Sequence, residues 1–246
     1  MGSPNYHKIN SIQKRVLDGP DKGHFTGEWS DPNFEELQDL HWVCREKIDG
    51  TNIRIHVQSD PEQSVEHTDN PLKVSIGGRT DNAQIPKPLL QRLYDLVGIL
   101  PAVDGMVNPD QTFDNFRSVF DQGALETGVT IYGEGYGAGI QKGGGYGPVD
   151  FIVFDVRIGG MWLNEESITG IAASLGLNRV PVYEQIQTLR DAISIVSRGT
   201  LLSHWAEYGE AEGIVAIPVS GILDRRGNRI IAKVKGVDFP NRKVRA

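Results

Sequence analysis

Apolar and polar residues alternate over several short stretches of the chain, which is the pattern of half-buried β-strands. Residues 42–57 are predicted to form a strand, a tight turn at Asp49-Gly50 and a second strand. The same alternation predicts further strands over residues 129–134, 150–156, 212–219 and 229–237, the last two as a hairpin. The chain is therefore expected to be rich in antiparallel strands.

Three stretches have the spacing of amphipathic helices instead. Apolar residues recur every three or four positions between Leu89 and Val97, after two prolines. Further helices are predicted at about 164–175, where Gly176 supplies the stop, and between Thr188 and Ser197. Strands outnumber helices and come in hairpins, so the predicted fold class is α+β, with mostly antiparallel sheets flanked by helices.

Composition favours a globular catalytic domain. The chain has 246 residues, 39% of them hydrophobic and 23% charged, which is enough to bury a core without a large accessory domain. We therefore expect one domain over residues 1–246. Apolar runs such as 151–154 are too short to cross a bilayer, and nothing suggests a secretion signal. The single cysteine, Cys44, is expected in the core and fits a reducing, cytoplasmic setting.

Charge is distributed unevenly along the chain. The net charge is −7, yet the segment from Asp224 to the end carries +6, which leaves −13 for the remainder. A basic C-terminal segment on an acidic body is suited to phosphate contacts, for example with a nucleic acid. A solvated tail of no particular function is the alternative.

Lys47 is the strongest candidate for chemistry, in the run Lys-Ile-Asp-Gly-Thr-Asn at positions 47–52. A lysine at the edge of a tight turn is held firmly by the backbone, and the glycine allows another group to approach. Such a lysine acts as a nucleophile if its ammonium group loses a proton near neutral pH. An ordinary surface lysine beside a hairpin turn is the alternative.

Four other charged residues stand at strand ends or on strand faces. Glu134 ends one predicted strand and Glu212 opens another, and each carboxylate lies beside a glycine. Lys233 and Lys235 are two residues apart, so both side chains project from one face of the last strand. Two neighbouring cations suit a triphosphate, and separated carboxylates suit a hydrated Mg²⁺ and a ribose hydroxyl. Solvated turn and edge-strand residues are the alternative.

Taken in order, these residues resemble the motif series of the covalent nucleotidyltransferases, which comprise DNA ligases, RNA ligases and mRNA-capping guanylyltransferases. The matching motifs are Lys47-x-Asp-Gly, Arg79-Thr80, Tyr132-Gly-Glu134, Phe154-Asp155, Glu212-Gly213 and Lys233-x-Lys235. The stretches around Lys47, 139–142 and 150–155 are most similar to the RNA ligase 2 branch of nick-sealing and RNA-editing ligases. The resemblance implies a nucleotidyltransferase (ATP-grasp-like) fold.

The resemblance also implies a role for each residue toward the nucleotide. Lys47 would take AMP from ATP, Glu46 would contact the adenine amino group, and Glu134 would hold the ribose. Phe154 would stack on the base, although a place in the core is the alternative, because core residues flank it at the alternating positions.

Phosphate and metal contacts are implied in the same way. Arg79 and Asn52 would touch phosphates of the nucleotide or of the 5′ end, and Lys142 would reach a polynucleotide phosphate. Glu212, with Asp49 acting through water, would hold Mg²⁺ or Mn²⁺. The lysine pair of the last strand would neutralise the α-phosphate and the leaving pyrophosphate.

The function implied is ATP-dependent RNA ligation, in the manner of phage RNA-repair enzymes, at a nicked RNA duplex or at single-stranded RNA ends. An ATP-dependent DNA ligase, a capping-type guanylyltransferase and a non-catalytic RNA-end binding protein remain alternatives. Two features depart from the branch. Asp49 stands where some members have histidine, and only eleven residues follow Lys235, so no accessory C-terminal domain is expected. RNA binding would then depend on the basic segment or on a helper protein.

Overall fold

The computed structural model describes residues 4–60, 71–98, 113–141 and 145–239. Its strands are β1 (Asn10–Ser11), β2 (Gln13–Arg15), β3 (Phe25–Trp29), β4 (Trp42–Lys47), β5 (Thr51–Ser59), β6 (Leu72–Gly78), β7 (Val129–Tyr136), β8 (Asp150–Ile158), β9 (Met161–Trp162), β10 (Asn178–Arg179), β11 (Gly213–Pro218) and β12 (Ala232–Lys235). Its helices are α1 (Pro32–Glu36), α2 (Lys87–Val97), α3 (Asp114–Val119), α4 (Gln122–Thr127), α5 (Glu165–Ser174), α6 (Leu189–Ser197) and a 3₁₀ turn, Gly236–Asp238.

The chain packs as two compact units. Unit 1 comprises the chain up to Tyr6 together with Asp49–Arg179, and unit 2 comprises His7–Ile48 together with the chain from Val180 onward. Each unit has its own hydrophobic core.

Unit 1 is built on one sheet in the order β10-β8-β7-β5-β6, with β9 paired to β8. All of its neighbouring strands are antiparallel except β8 and β10. One face of the sheet is apolar, because Ile53, Ile55 and Ile131 project from it, and helices α2 to α5 contribute buried residues to the same core. The opposite face carries polar and aromatic side chains, among them those of Asn52, Arg54, Tyr132 and Glu134. Candidate binding residues of unit 1 are therefore found on this face.

Unit 2 contains a four-stranded sheet in the order β1-β12-β11-β4 and a separate β2-β3 ribbon. Strands β4, β11 and β12 are antiparallel neighbours, whereas β1 pairs with β12 in parallel. Trp42, Cys44 and Ile214 face the core, where α6 also packs. Cys44 is fully buried, as the sequence predicted.

The predicted α+β class with mostly antiparallel sheets is confirmed. All the strands predicted over residues 129–237 form, and β11 and β12 pair as the predicted hairpin, although the second strand is shorter than expected. The glycine-rich loop between β7 and β8 is described except for residues 142–144, so Lys142 lies outside the described residues. The end of the basic segment, residues 240–246, also lies outside them.

The hairpin predicted over residues 42–57 is wrong in one respect. Both strands exist and the chain bends at Asp49-Gly50, but β4 pairs with β11, whereas β5 pairs with β6 and β7. The reason is that the apolar side chains of the two strands are buried in different cores, that of β4 in unit 2 and that of β5 in unit 1. The chain therefore leaves one unit and enters the other directly after Lys47 and Ile48.

The three predicted helices are α2, α5 and α6. The Asn164 and Thr188 side chains cap the N-termini of α5 and α6 by accepting backbone N–H bonds. Gly176 has a φ of +66° directly after the last turn of α5, which confirms it as the stop. Within the described ranges, no helix is both long and apolar enough to cross a membrane.

Candidate functional site

Glu212 holds two lysines together in unit 2. The Lys47 Nζ donates to Glu212 Oε2 at 2.6 Å, and the Lys235 Nζ lies 2.6 Å from Glu212 Oε1. The three side chains are 15–28% exposed, so the charges are partly desolvated yet still accessible. One carboxylate bridging two ammonium groups leaves an excess of positive charge, which is suited to binding a phosphate.

The sheet of unit 2 sets this arrangement. Gly213 on the central strand β11 lies opposite Lys47 on one neighbouring strand and opposite Lys235 on the other. Directly opposed residues point to the same face, so the two lysines project together beside Glu212. A Cβ at Gly213 would overlap the carbonyl oxygen of Val234, so only glycine allows this close approach of β11 and β12.

Lys233 adds a third cation to the same face of β12. Ala232 and Val234 are buried on the other face, which confirms the predicted alternation. Burial lowers the pKa of Lys233, and the like charges of Lys47 and Lys235 lower it further. The ammonium form of Lys233 is therefore less favoured in the folded protein than in the unfolded chain.

Asp238 supports this strand from beyond its end. Its carboxylate accepts the backbone N–H of Lys235 at 3.0 Å and pairs with Arg15 at 2.6 Å. Burial raises the pKa of Asp238, although the charge of Arg15 opposes that change. The sequence did not indicate either residue, because 223 positions separate Arg15 from Asp238.

We predict that Lys233→Met raises the free energy of unfolding at pH 7 by up to about 1 kcal/mol, since the side chain keeps its length and loses a disfavoured charge. The folded-state pKa of Lys233 lies below its unfolded value of 10.5, so wild-type stability rises with pH between the two values. The advantage of the methionine variant should therefore be largest below that window and shrink as the pH approaches 10.5. Urea unfolding at pH 7 and pH 10 measures this. Lys22→Met, at an exposed position, serves as the control, and an equal gain there would contradict the electrostatic explanation.

Glu46 precedes Lys47 in β4 and points to the opposite face of the strand. It is 2% exposed, and its two oxygens accept bonds from the hydroxyl groups of Tyr183 and Ser203 and from the backbone N–H of His204. A carboxylate offers about four acceptor positions, and donors from the described residues fill three of them, which leaves one for a further donor such as an amino group. The predicted contact with adenine stays a prediction. Nothing in the sequence indicated the three donors.

In unit 1, the structure brings Asn52 and Glu134 together. They are directly paired residues of β5 and β7, and Glu134 is the one residue of β7 that is not fully buried. The Oδ1 atom of Asn52 is buried and has no hydrogen-bond partner among the described residues. Buried amide oxygens are almost always hydrogen-bonded in folded proteins, and a ligand can supply the missing donor.

Gly50 explains how the turn after Lys47 fits against the same sheet. A Cβ at this position would overlap the carbonyl oxygen of Gly135 and approach the Cγ of Glu134 to 2.8 Å. The expectation that this glycine allows another group to approach is therefore confirmed, and the approaching groups belong to β7.

Phe154 lies at a β-bulge. Tyr132 pairs with Asp155 and Gly133 pairs with Val153, so the register of β8 against β7 shifts by one residue at Phe154. It is the only residue of 151–156 that is not fully buried. A bulge changes the direction in which a side chain points. A strict alternation of buried and exposed side chains would place Phe154 in the core with its neighbours. The bulge interrupts that alternation.

The remaining predicted residues are Asp49 and Arg79. The backbone N–H of Asp49 donates to the Tyr146 hydroxyl at 3.2 Å, and Arg79 is exposed on the bend after β6. In the described part of the chain, no group of three or more His, Cys, Asp or Glu residues is arranged to hold a metal ion. A site for Mg²⁺ would therefore need ligands from phosphate or water beside Glu212.

Comparison with known proteins places the chain in a family. The RNA ligase family model matches residues 40–235, whereas no curated protein matches significantly. A Naegleria gruberi RNA ligase variant with AMP and Mn is 13% identical at a TM-score of 0.50, over 83% of this chain and 52% of that one. The same protein with PPi is 15% identical at a TM-score of 0.47, with the same coverage.

The first of these structures supports the fold, and this chain spans about half the length of the Naegleria gruberi protein. The family match covers most of the chain. It includes the lysine cluster, which consists of Lys47, Lys233, Lys235 and the bridging Glu212. The chain belongs to the RNA ligase family.

Proposed function

We propose that the protein is an ATP-dependent RNA ligase that joins 3′-OH and 5′-phosphate ends. The observation that carries the proposal is the cluster in unit 2, where Glu212 bridges Lys47 and Lys235 and Lys233 projects from the same strand face. One amine at the end of a strand, beside an excess of positive charge, suits attack on a nucleotide phosphate.

In the first step the Lys47 amine, after losing a proton, attacks the α-phosphorus of ATP. A nitrogen–phosphorus bond forms, the bond to the leaving oxygen breaks, and pyrophosphate departs. Lys233 and Lys235 would stabilise the charge that builds on the phosphate oxygens. AMP then passes to a 5′-phosphate end, and a 3′-OH attacks that end and expels AMP.

The donor set also fits a divalent cation. Mg²⁺ commonly binds through one or two carboxylates together with substrate phosphates and water, and Glu212 supplies one such carboxylate. We propose Glu212 as the protein ligand, with Asp49 acting through water. The bound ion, Mg²⁺ or Mn²⁺, would neutralise phosphate charge during transfer.

For unit 1 we propose the contacts implied by the family. Asn52 and Arg79 would bind phosphates, Glu134 the ribose and Phe154 the base, while Glu46 of unit 2 would bind the adenine amino group. Two observations support this assignment: the amide oxygen of Asn52 has no hydrogen-bond partner in the described part of the chain, and Phe154 is partly exposed. We also propose that both units belong to one nucleotidyltransferase domain and that the protein acts in the cytoplasm.

Nucleotide labelling tests the proposal directly. The full chain is incubated with Mg²⁺ and either ATP or GTP carrying a radiolabelled α-phosphate, and the protein is then separated on a denaturing gel. We expect label from ATP and little from GTP. Preferential labelling by GTP would favour a capping-type enzyme, and no label from either nucleotide would favour a non-catalytic binding protein.

Strand joining then identifies the polynucleotide. A nicked duplex and single strands are offered with either RNA or DNA at the 3′-OH side of the junction. We expect RNA 3′-OH ends to be joined faster. Faster joining of DNA 3′-OH ends would indicate a DNA ligase. Adding a pre-adenylylated strand without ATP tests the last step alone.

A further inference from the structure

The N-terminal residues Pro4 to Tyr6 lie on the polar face of the unit 1 sheet. The Tyr132 hydroxyl donates to the Pro4 carbonyl at 2.8 Å, the Arg54 guanidinium donates to the Asn5 side chain, and the Tyr6 hydroxyl donates to Asp155 Oδ2 at 2.5 Å. These contacts join residues 49 to 149 positions apart in sequence. The segment is therefore fixed by tertiary contacts and not by its own secondary structure.

Tyr6 lies inside an aromatic cluster. Its ring is 6% exposed and lies 5.1 Å from Tyr132, 5.1 Å from Phe154 and 5.6 Å from Trp162, measured between ring centroids. The Phe154 contact is edge-on, with 70° between the planes, which is a favourable aromatic geometry. Tyr6 is buried, whereas Phe154 is partly exposed.

Asp155 fixes the position of Tyr6. This carboxylate is fully buried, and a buried carboxylate is costly unless donors satisfy it. The Tyr6 hydroxyl is one such donor, so the hydrogen bond anchors the Tyr6 ring beside the bulge. Phe154 and Asp155 are consecutive residues of that bulge, and Tyr6 contacts both.

The same sheet face carries the polar pair Asn52 and Glu134. Paired residues on neighbouring strands share a face, and the pairs Asn52–Glu134 and Arg54–Tyr132 are consecutive on that face of β5 and β7. The Oδ1 atom of Asn52 on this face has no hydrogen-bond partner among the described residues. Phe154 packs against Tyr6 and is partly exposed, so its ring is suited to stacking a planar base.

We propose that Tyr6 is a positioning residue for the nucleobase: its ring and its hydrogen bond to Asp155 hold Phe154 as the platform on which the base stacks. This inference rests on the proposed function, and it assigns part of the nucleotide site to the N-terminal segment. Tyr6 acts through Phe154 and Asp155, whereas the phosphate contacts are made elsewhere.

The test compares two ligands that differ only in the base. One is α,β-methylene ATP, which cannot transfer AMP, and the other is the α,β-methylene analogue of ribose 5′-triphosphate, a baseless ligand with the same phosphate chain. Dissociation constants are measured by calorimetry for the wild-type full chain and for Tyr6→Ala. Wild type should bind the ATP analogue at least about 10-fold more tightly than the baseless ligand, since one base-stacking contact is worth that much.

Tyr6→Ala should remove most of that preference while leaving the affinity for the baseless ligand unchanged. Tyr6→Phe keeps the ring and loses the hydroxyl, so it should lose about 3-fold of the preference, and it serves as the second variant if the alanine variant does not fold. Leu93→Ala, which truncates a buried residue on the opposite, apolar face, is the matched control for lost stability and should keep the full preference.

An unchanged preference in folded Tyr6→Ala or in Tyr6→Phe overturns the inference, as does an equal loss in Leu93→Ala. In those cases the proposed function stands if wild type still binds the ATP analogue and is labelled by ATP. If wild type binds neither ligand, the proposed function fails, and this inference fails with it.

Discussion

Lys47→Ala and Lys47→Arg should each reduce covalent labelling by ATP at least about 1,000-fold, since neither side chain provides a neutral amine for attack on the α-phosphate. The structure makes the arginine variant the more informative one. Arginine keeps the positive charge that pairs with Glu212 at 2.6 Å in wild type, so it preserves the electrostatic balance of the cluster. Loss of labelling in Lys47→Arg therefore reports on nucleophilicity and not on a lost ion pair.

Labelling is measured by denaturing gel after incubation with radiolabelled ATP and Mg²⁺. Lys22→Ala, which removes an exposed lysine of the same unit, is the control and should label like wild type. Both Lys47 variants should still join a pre-adenylylated strand, because that substrate bypasses the attack by Lys47. Undiminished labelling of Lys47→Ala would eliminate the lysyl-AMP mechanism.

Glu212→Gln should have the second largest effect. The neutral amide no longer balances the charges of Lys47 and Lys235, and it is a weaker ligand for Mg²⁺. We expect the rate of labelling to fall about 100- to 1,000-fold, as is typical when one electrostatic contact to a transition state is lost. Raised Mg²⁺ should restore part of this rate, since mass action offsets weaker binding of the ion.

The same variant should lose about 1 kcal/mol of unfolding free energy, because Lys47 and Lys235 lose the carboxylate that bridges them and repel each other and Lys233. Raised salt should recover part of that loss by screening the charges. Glu207→Gln makes the same chemical change at an exposed position five residues earlier in the chain and should alter neither quantity. A Glu212→Gln variant that labels at the wild-type rate at every Mg²⁺ concentration would rule out the proposed role of Glu212.

Strand positions were predictable from sequence because alternation with a period of two reflects which side chains are buried. The lysine pair of β12 follows this rule, since Ala232 and Val234 are buried and the two lysines are not. Helix ends were predictable for a similar local reason, as the φ of +66° at Gly176 illustrates. Strand pairing was not predictable, because β4 and β5 are adjacent in sequence but are buried in different cores.

Phe154 shows why local rules fail at the site. Its direction depends on a bulge, and the bulge is defined only by the pairing of β8 with β7. The donors to Glu46 and the Tyr6–Asp155 bond were equally hidden, since 137 to 158 positions separate the groups that meet. No periodicity or motif spacing records contacts at such distances.

The strand-rich α+β class, the RNA ligase family and the candidate charged residues follow from side-chain order and short-range periodicity, so they could be predicted. Three contacts are visible only in the folded chain: Glu212 bridges Lys47 and Lys235, Glu46 is buried among three donors, and Tyr6 packs against Phe154. The physical reason is that strand pairing across long stretches of chain sets which side chains meet. The free energy of those contacts comes from burial and hydrogen bonding between residues that are distant in sequence.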